Sequence, residues 1–146
     1  EAYAPVSGET LTIISNSGIN AVSVDMAALA RKAGVKVVAV TSLTHSKEAK
    51  SRHSSGKRLF ELADFVVDTG GVKGDAAVSI KGLDVAAGPM SSLLAGAVMN
   101  LIALRICELY SENGLVAPVY LSANLPGGDE RNRALEEKYR DRIRIL

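Results

Sequence analysis

The 146-residue sequence has no tryptophan, and aromatic residues make up only 4% of it. That scarcity disfavours surfaces that stack nucleic-acid bases on aromatic rings. The single cysteine, Cys107, excludes an internal disulfide, and its apolar surroundings mark it as a buried structural thiol suited to a reducing cytoplasm. Neither sign of charge dominates: 17 Lys and Arg face 16 Asp and Glu, a net charge of +1. Bulk charge thus gives no basis for a nucleic-acid or membrane partner. No signal peptide is visible. The most apolar run, Leu93 to Leu104, is too short to span a bilayer and contains Asn100. Two histidines and one cysteine cannot build a structural zinc site, and no spacing of Cys, His, Asp and Glu suggests another metal.

What is present is ordinary for one globular α/β domain over residues 1–146, with 47% apolar and 23% charged residues. Leu11 to Ile14 reads as a buried strand. Asn20 to Ala33 reads as a helix that Gly34 stops, and Val35 to Val40 as a nearly continuous apolar strand. Such a strand suits a parallel sheet covered on both faces, so the three segments form a right-handed βαβ unit. Ser42 to Gly56 is a polar loop with one helical turn near Ser46. A short helix follows over Arg58 to Ala63, then a strand over Phe65 to Val67. Short strands are expected at Ala76 to Ile80 and Leu83 to Val85. A long helix opens at Pro89 or Met90 and runs to about Asn113. Being almost wholly apolar, this helix is expected to be buried, in the core or in a subunit interface. A strand at Val119 to Ser122 and a helix capped by Asp129 and ending at Tyr139 complete the chain.

Four segments carry chemistry. The turn Ser15-Asn16-Ser17-Gly18, with Asn20 after it, joins a strand to a helix N-terminus. Unpaired N–H groups and small hydroxyls there make either an anion cradle or an ordinary capped turn. The turn is not a dinucleotide fingerprint, and it lacks the lysine of a P-loop. His53, within His53-Ser54-Ser55-Gly56-Lys57-Arg58, is either a proton carrier or part of a solvated loop; His45 reads more strongly as an exposed turn residue. Asp75, after Gly70, Gly71 and Gly74, is either a general base or a turn residue capping its own backbone. Ser91 and Ser92 open the long helix at a second hydroxyl-bearing N-terminus.

The strand, Ser-x-Ser-Gly turn, helix and strand from Ile13 to Ser42 resemble the sugar isomerase (SIS) phosphosugar-binding domain. Leu62-Ala63-Asp64-Phe65-Val66-Val67-Asp68 resembles its following strand. Segments 51–59, 74–76, 121–124 and 127–130 look like a bacterial subfamily of sugar-isomerase-like proteins, sometimes labelled phosphoheptose isomerases. The resemblance implies a flavodoxin-like three-layer αβα sandwich with a mostly parallel sheet. Its N-terminal helices and first strand are expected to be lacking here, that strand lying between Leu11–Ile14 and Val35–Val40. The first residue is Glu1, not Met, which fits an N-terminally truncated domain.

The resemblance also implies roles. Ser15, Asn16, Ser17, Gly18 and Asn20 would hold a sugar phosphate, with Ser91 and Ser92 nearby. Asp75 and His53 would move protons through an enediol(ate) in a cytoplasmic phosphosugar isomerase needing no metal or organic cofactor. A homodimer or higher oligomer is implied. Alternatives are a phosphosugar lyase or etherase, a non-catalytic sugar-phosphate sensor, or a scaffold that assembles through Ser91–Glu108.

Overall fold

A computed structural model of the chain describes residues 5–143. These fall into two compact units, 5–101 and 102–143, each described by itself.

The first unit is built on three parallel strands in the order β1-β2-β3: β1 (Thr10–Ile14), β2 (Lys36–Thr41) and β3 (Phe65–Asp68). Between β1 and β2 runs α1 (Ala21–Lys32). It begins after Asn20 and ends in Gly34 at φ 75°, where Gly34 N–H donates to the Arg31 carbonyl and Val35 N–H to that of Ala30. That pair of bonds is the glycine stop the sequence predicts. Two short helices, α2 (Leu43–Glu48) and α3 (Leu59–Leu62), lie between β2 and β3.

One face of the sheet carries the core. Ile13 of β1 and Val37 and Ala39 of β2 pack with Ala27 and Ala30 of α1 and Leu59 of α3. Val37, Ala39, Ala27 and Leu59 are all 0% exposed, so removal of this apolar surface from water is the main source of the unit's stability. Asp64 fastens the start of the ladder: its carboxylate accepts from Val37 N–H at 2.9 Å and Lys36 Nζ at 3.2 Å. Those two bonds, the Val37 N–H first, hold its pKa below the usual aspartate range.

Strands β4 (Ala76–Val78) and β5 (Ala87–Pro89) form an antiparallel pair, and α4 (Ser91–Glu112) follows. The first turns of α4 stand over the opposite sheet face, where Ser91, Ser92 and Ala95 share a cavity with Ile14 and Val40. Helices thus flank both faces of the sheet, and the fold is α/β, as in flavodoxin-like three-layer sandwiches.

β1 and β2 pair directly, Ile13 opposite Ala39 and Ile14 opposite Val40, so the sheet closes over the place the resemblance gives to a first strand. Three expectations need correction. The second short strand is Ala87–Pro89, not Leu83 to Val85: Asp75 and Met90 tie the ends of the hairpin together and set its register. Val119 to Ser122 is not a strand. The Leu121 N–H and carbonyl are both taken by the Asn132 side chain, and the Val119 carbonyl by Arg131 Nε, so this stretch needs no strand neighbour. Finally, α4 has no buried residue: Leu93, Leu101 and Leu104 are exposed, so the helix is not part of the core described above.

By length and composition alone α4, with a mean hydropathy of 1.6, is long and apolar enough to cross a membrane, because it extends well past the Leu93–Leu104 run. Its last turns carry Arg105, paired with both Glu108 and Glu112. The second unit also contains α5 (Gly128–Tyr139). Its N-cap is Gly127 at φ 79°, not Asp129, which lies two positions further on, inside the first turn.

Leu59→Ala should destabilise the protein by about 2–5 kcal/mol, the usual range for truncating a fully buried leucine. Urea denaturation measures it; a loss under about 1 kcal/mol would mean that the α3 contact is not part of the core.

Candidate functional site

The carboxyl ends of the three parallel strands converge, and the backbone ladder continues past them. Ser15 N–H donates to the Val40 carbonyl, Ser42 N–H to that of Asn16, and Thr69 N–H to that of Thr41. Open α/β sheets bind ligands along this edge. Here it holds a cavity of about 240 Å³ lined by Ile14, Asn16, Val40, Thr69, Ser91, Ser92 and Ala95. Asn16 Oδ1 is buried and has no hydrogen-bond partner among the described residues. A buried amide oxygen left unpaired is costly and calls for a donor. The Ser92 hydroxyl likewise makes no hydrogen bond among the described residues.

The Ser15–Gly18 turn forms as its composition suggests. Ser15 Oγ accepts from Gly18 N–H at 3.2 Å, which engages one donor of the cradle within the turn itself. The Asn16 carbonyl accepts from Thr41 Oγ1, and the Gly18 carbonyl from Leu59 N–H, pinning the turn to β2 and α3. Gly18 is required: its φ is 61°, and a Cβ there would stand 3.1 Å from Ser46 Oγ and 3.3 Å from Leu59 Cβ. Asn20 precedes α1 without capping it through its side chain, and its Oδ1 faces Arg52 Nη1 at 3.4 Å. Ser17 makes no hydrogen bond among the described residues.

Asp75 does not line the cavity but is bonded to Ser91, which does. Its Oδ1 accepts from the N–H groups of Met90 (3.0 Å) and Ser91 (2.7 Å), and its Oδ2 from the Ser91 hydroxyl (2.8 Å). The carboxylate therefore caps α4 across a long sequence separation. The Ser91 hydroxyl, then the two N–H groups and the nearby His45, lower its pKa, while partial desolvation opposes them. Asp75 is also the one non-glycine residue among those described with a positive φ, at 75°.

His45 is the residue that sequence reasoning passed over. Ser42 Oγ accepts from His45 N–H and donates to the Gly71 carbonyl at 2.6 Å. This brings His45 Nδ1 to 3.3 Å from Gly74 N–H, next to Asp75. Since a backbone N–H can only donate, Nδ1 is the accepting nitrogen and Nε2 carries the ring proton. Thr69, also missed, lines the cavity and accepts from Gly71 N–H through Oγ1. The signal for both was thin: each ends a strand or follows one, at the edge where loops converge.

Of the residues named from sequence, the cavity unites Asn16, Ser91 and Ser92, with Asp75 attached through Ser91. Ser15, Ser17, Gly18 and Asn20 belong to the adjoining turn and do not line it. His53 faces away: Nε2 lies 3.0 Å from Asp25 Oδ1 on α1, and Nδ1 2.7 Å from Ser55 Oγ. No group of three metal-ligating side chains occurs among the described residues.

Comparison with known proteins fits this edge. The SIS domain family matches residues 1–42, which include the Ser15–Gly18 turn and β2. A UPF0309 protein of Oceanobacillus iheyensis is 45% identical over 139 residues, 95% of this chain and 56% of that protein. UPF0309 proteins of Shouchella clausii and Geobacillus thermodenitrificans are 43% and 41% identical over similar spans. The chain carries an SIS-domain-like region and is homologous to the UPF0309 proteins. It spans 56% of the length of these relatives. An SIS-related fold is consistent with sugar-phosphate binding in general.

Removing the Ser91 hydroxyl should raise the Asp75 pKa towards the ordinary aspartate value. A carboxyl-carbon NMR titration of Ser91→Ala against the parent chain measures this, and an unchanged titration would refute the cause given above. Because the folded pKa is depressed, this cap stabilises the fold fully above the unfolded value and loses its effect as pH falls through the folded value. The acid-unfolding midpoint of Ser91→Ala should accordingly shift upward in pH.

Proposed function

We propose that the cavity at the carboxyl edge of β1, β2 and β3 binds a sugar phosphate and that the protein is a phosphosugar isomerase. The observation that carries this reading is the polar lining of the cavity beside the Ser15–Gly18 turn: Asn16, Thr69, Ser91 and Ser92 line it, and the Ser92 hydroxyl makes no hydrogen bond among the described residues. That hydroxyl offers a sugar both a donor and an acceptor. The phosphate is assigned to the Ser15-Asn16-Ser17-Gly18 turn and Asn20, at the N-terminus of α1, where the helix dipole favours an anion.

Aldose–ketose interconversion needs a base that takes the proton from the carbon beside the carbonyl and returns it to the neighbouring carbon. A second group moves the proton between the two oxygens. Asp75, ionised and adjoining the cavity, takes the first role. Its three donors make it a weak base, and a ligand hydroxyl that competes for Ser91 Oγ strengthens it. His45 beside Asp75 supports the second role more directly than His53, which lies against α1. The same abstraction serves a lyase or etherase, and a heptose phosphate is one substrate of suitable size. We place this activity in the cytoplasm and in a homodimer or larger assembly, for which the exposed leucines of α4 speak.

A specific observation favours the second reading, a sugar-phosphate sensor: the Asp75 carboxylate is fully engaged with α4 and held at low pKa.

Calorimetry and a coupled assay with a panel of aldose and ketose phosphates, a heptose phosphate among them, separate these readings. The chain should bind at least one. Ser92→Leu, which fills the cavity, should abolish binding. Asp75→Asn should keep binding and lose about 100-fold or more in turnover, the scale of one general base. Binding without turnover in the parent chain decides for the sensor. Equal binding by Ser92→Leu eliminates the cavity.

A further inference from the structure

Away from the cavity, three side chains form a continuous chain: Asp25 Oδ1, then the His53 ring at 3.0 Å, then Ser55 Oγ at 2.7 Å. The proton positions follow from geometry. Ser55 N–H donates to His53 Nδ1 at 3.1 Å, so Nδ1 presents a lone pair. In the neutral ring the proton is then on Nε2, pointing at the Asp25 carboxylate. Ser55 Oγ accepts from Lys57 N–H at 3.3 Å, and its own hydroxyl proton is directed to Nδ1. A carboxylate orients the imidazole, and the imidazole is poised to take a hydroxyl proton. This is the logic of an activated serine.

The arrangement is not needed to close the loop. Ser51 Oγ already donates to the Lys57 carbonyl at 2.7 Å and accepts from His53 N–H, while Gly56 N–H donates to the His53 carbonyl. Ser55 is exposed, and the space beside Gly56 is open, with nothing within 4 Å of where a Cβ would sit. The His53 side chain is 18% exposed, so the ring is shielded while the hydroxyl is reachable.

We propose that Ser55 is an imidazole-activated nucleophile that accepts acyl groups from activated esters. Ser55 Oγ attacks the ester carbonyl carbon, and its proton passes to the one lone pair of His53 Nδ1, which the Ser55 N–H releases as the proton arrives. The resulting imidazolium is held by the Asp25 carboxylate. The tetrahedral adduct collapses with loss of the alcohol or phenolate, leaving acyl-Ser55. The ring returns its proton to the leaving group or to solvent, and water hydrolyses the acyl-serine. The backbone N–H bonded to Ser55 Oγ among the described residues is that of Lys57, at 3.3 Å, and with no second such donor assigned to the oxyanion only esters with good leaving groups acylate Ser55 readily. This site is independent of the phosphosugar cavity.

The test uses the full chain with p-nitrophenyl acetate and peptide mapping of acetylated serines. Ser55 should be acetylated about 10-fold or more faster than its exposed neighbour Ser54, and His53→Gln should slow labelling of Ser55 about 100-fold, the range of one general base. Asp25→Asn, on the outer face of α1, should slow it about 3- to 10-fold, because Asp25 is 61% exposed and partly replaced by water as an orienting group. Ser54→Ala should change nothing at Ser55. Equal labelling of Ser54 and Ser55, or a Ser55 rate that neither His53→Gln nor Asp25→Asn lowers, overturns the proposal.

Discussion

The two-sided pairing of β2 is the constraint on which the rest of the first unit depends. With β1 on one edge and β3 on the other, β2 pairs on both sides, its Val37 N–H going to the Asp64 carboxylate just before β3, and its side chains must be covered. Val37 and Ala39 meet α1 and α3 on one face, and Val40 meets the first turns of α4 on the other. The ladder does not stop where the strands do. The bonds from Ser42 N–H to Asn16 and from Thr69 N–H to Thr41 set the loops in register with the strands. Ser42 then carries the order one step outward, because its hydroxyl holds the Gly71 carbonyl and caps α2. Asn16, Thr69, His45 and Asp75 thus acquire fixed positions from one strand's hydrogen bonding.

The parts of this arrangement that were legible in the sequence are those governed by periodicity and local capping. The run Val35 to Val40 can bury itself only in a doubly covered parallel strand, and Gly34 can close α1 only in the left-handed conformation it adopts. The position of Asn16 follows from the strand-turn-helix pattern alone. The cap that Asp75 places on α4 was not legible, since it joins residues 15 and 16 positions apart and leaves no repeating signal. The same holds for His45, whose neighbourhood depends on a buried serine hydroxyl, and for Asp25, whose bond to His53 spans 28 positions. Val119 to Ser122 failed for a different reason. Its apolar composition suits a strand, but Asn132 and Arg131 offer its backbone groups partners from a helix.

Electrostatics distinguish the two helix N-termini that meet the carboxyl edge. The start of α4 is already neutralised: Asp75 occupies the Met90 and Ser91 N–H groups, so a phosphate placed there would meet a carboxylate of like charge. The start of α1 has no acidic residue in its first turn, and the hydroxyl of Ser17 beside it is unengaged. In the proposed function, an anionic group entering this edge is therefore directed towards α1, and a neutral polyhydroxylated body towards Ser92. The polarity of a sugar phosphate matches that division, anion at one end and hydroxyls at the other. A ligand with the opposite order of charge would have to displace Asp75 from α4, giving up three hydrogen bonds and the orientation of the helix that forms one wall of the cavity.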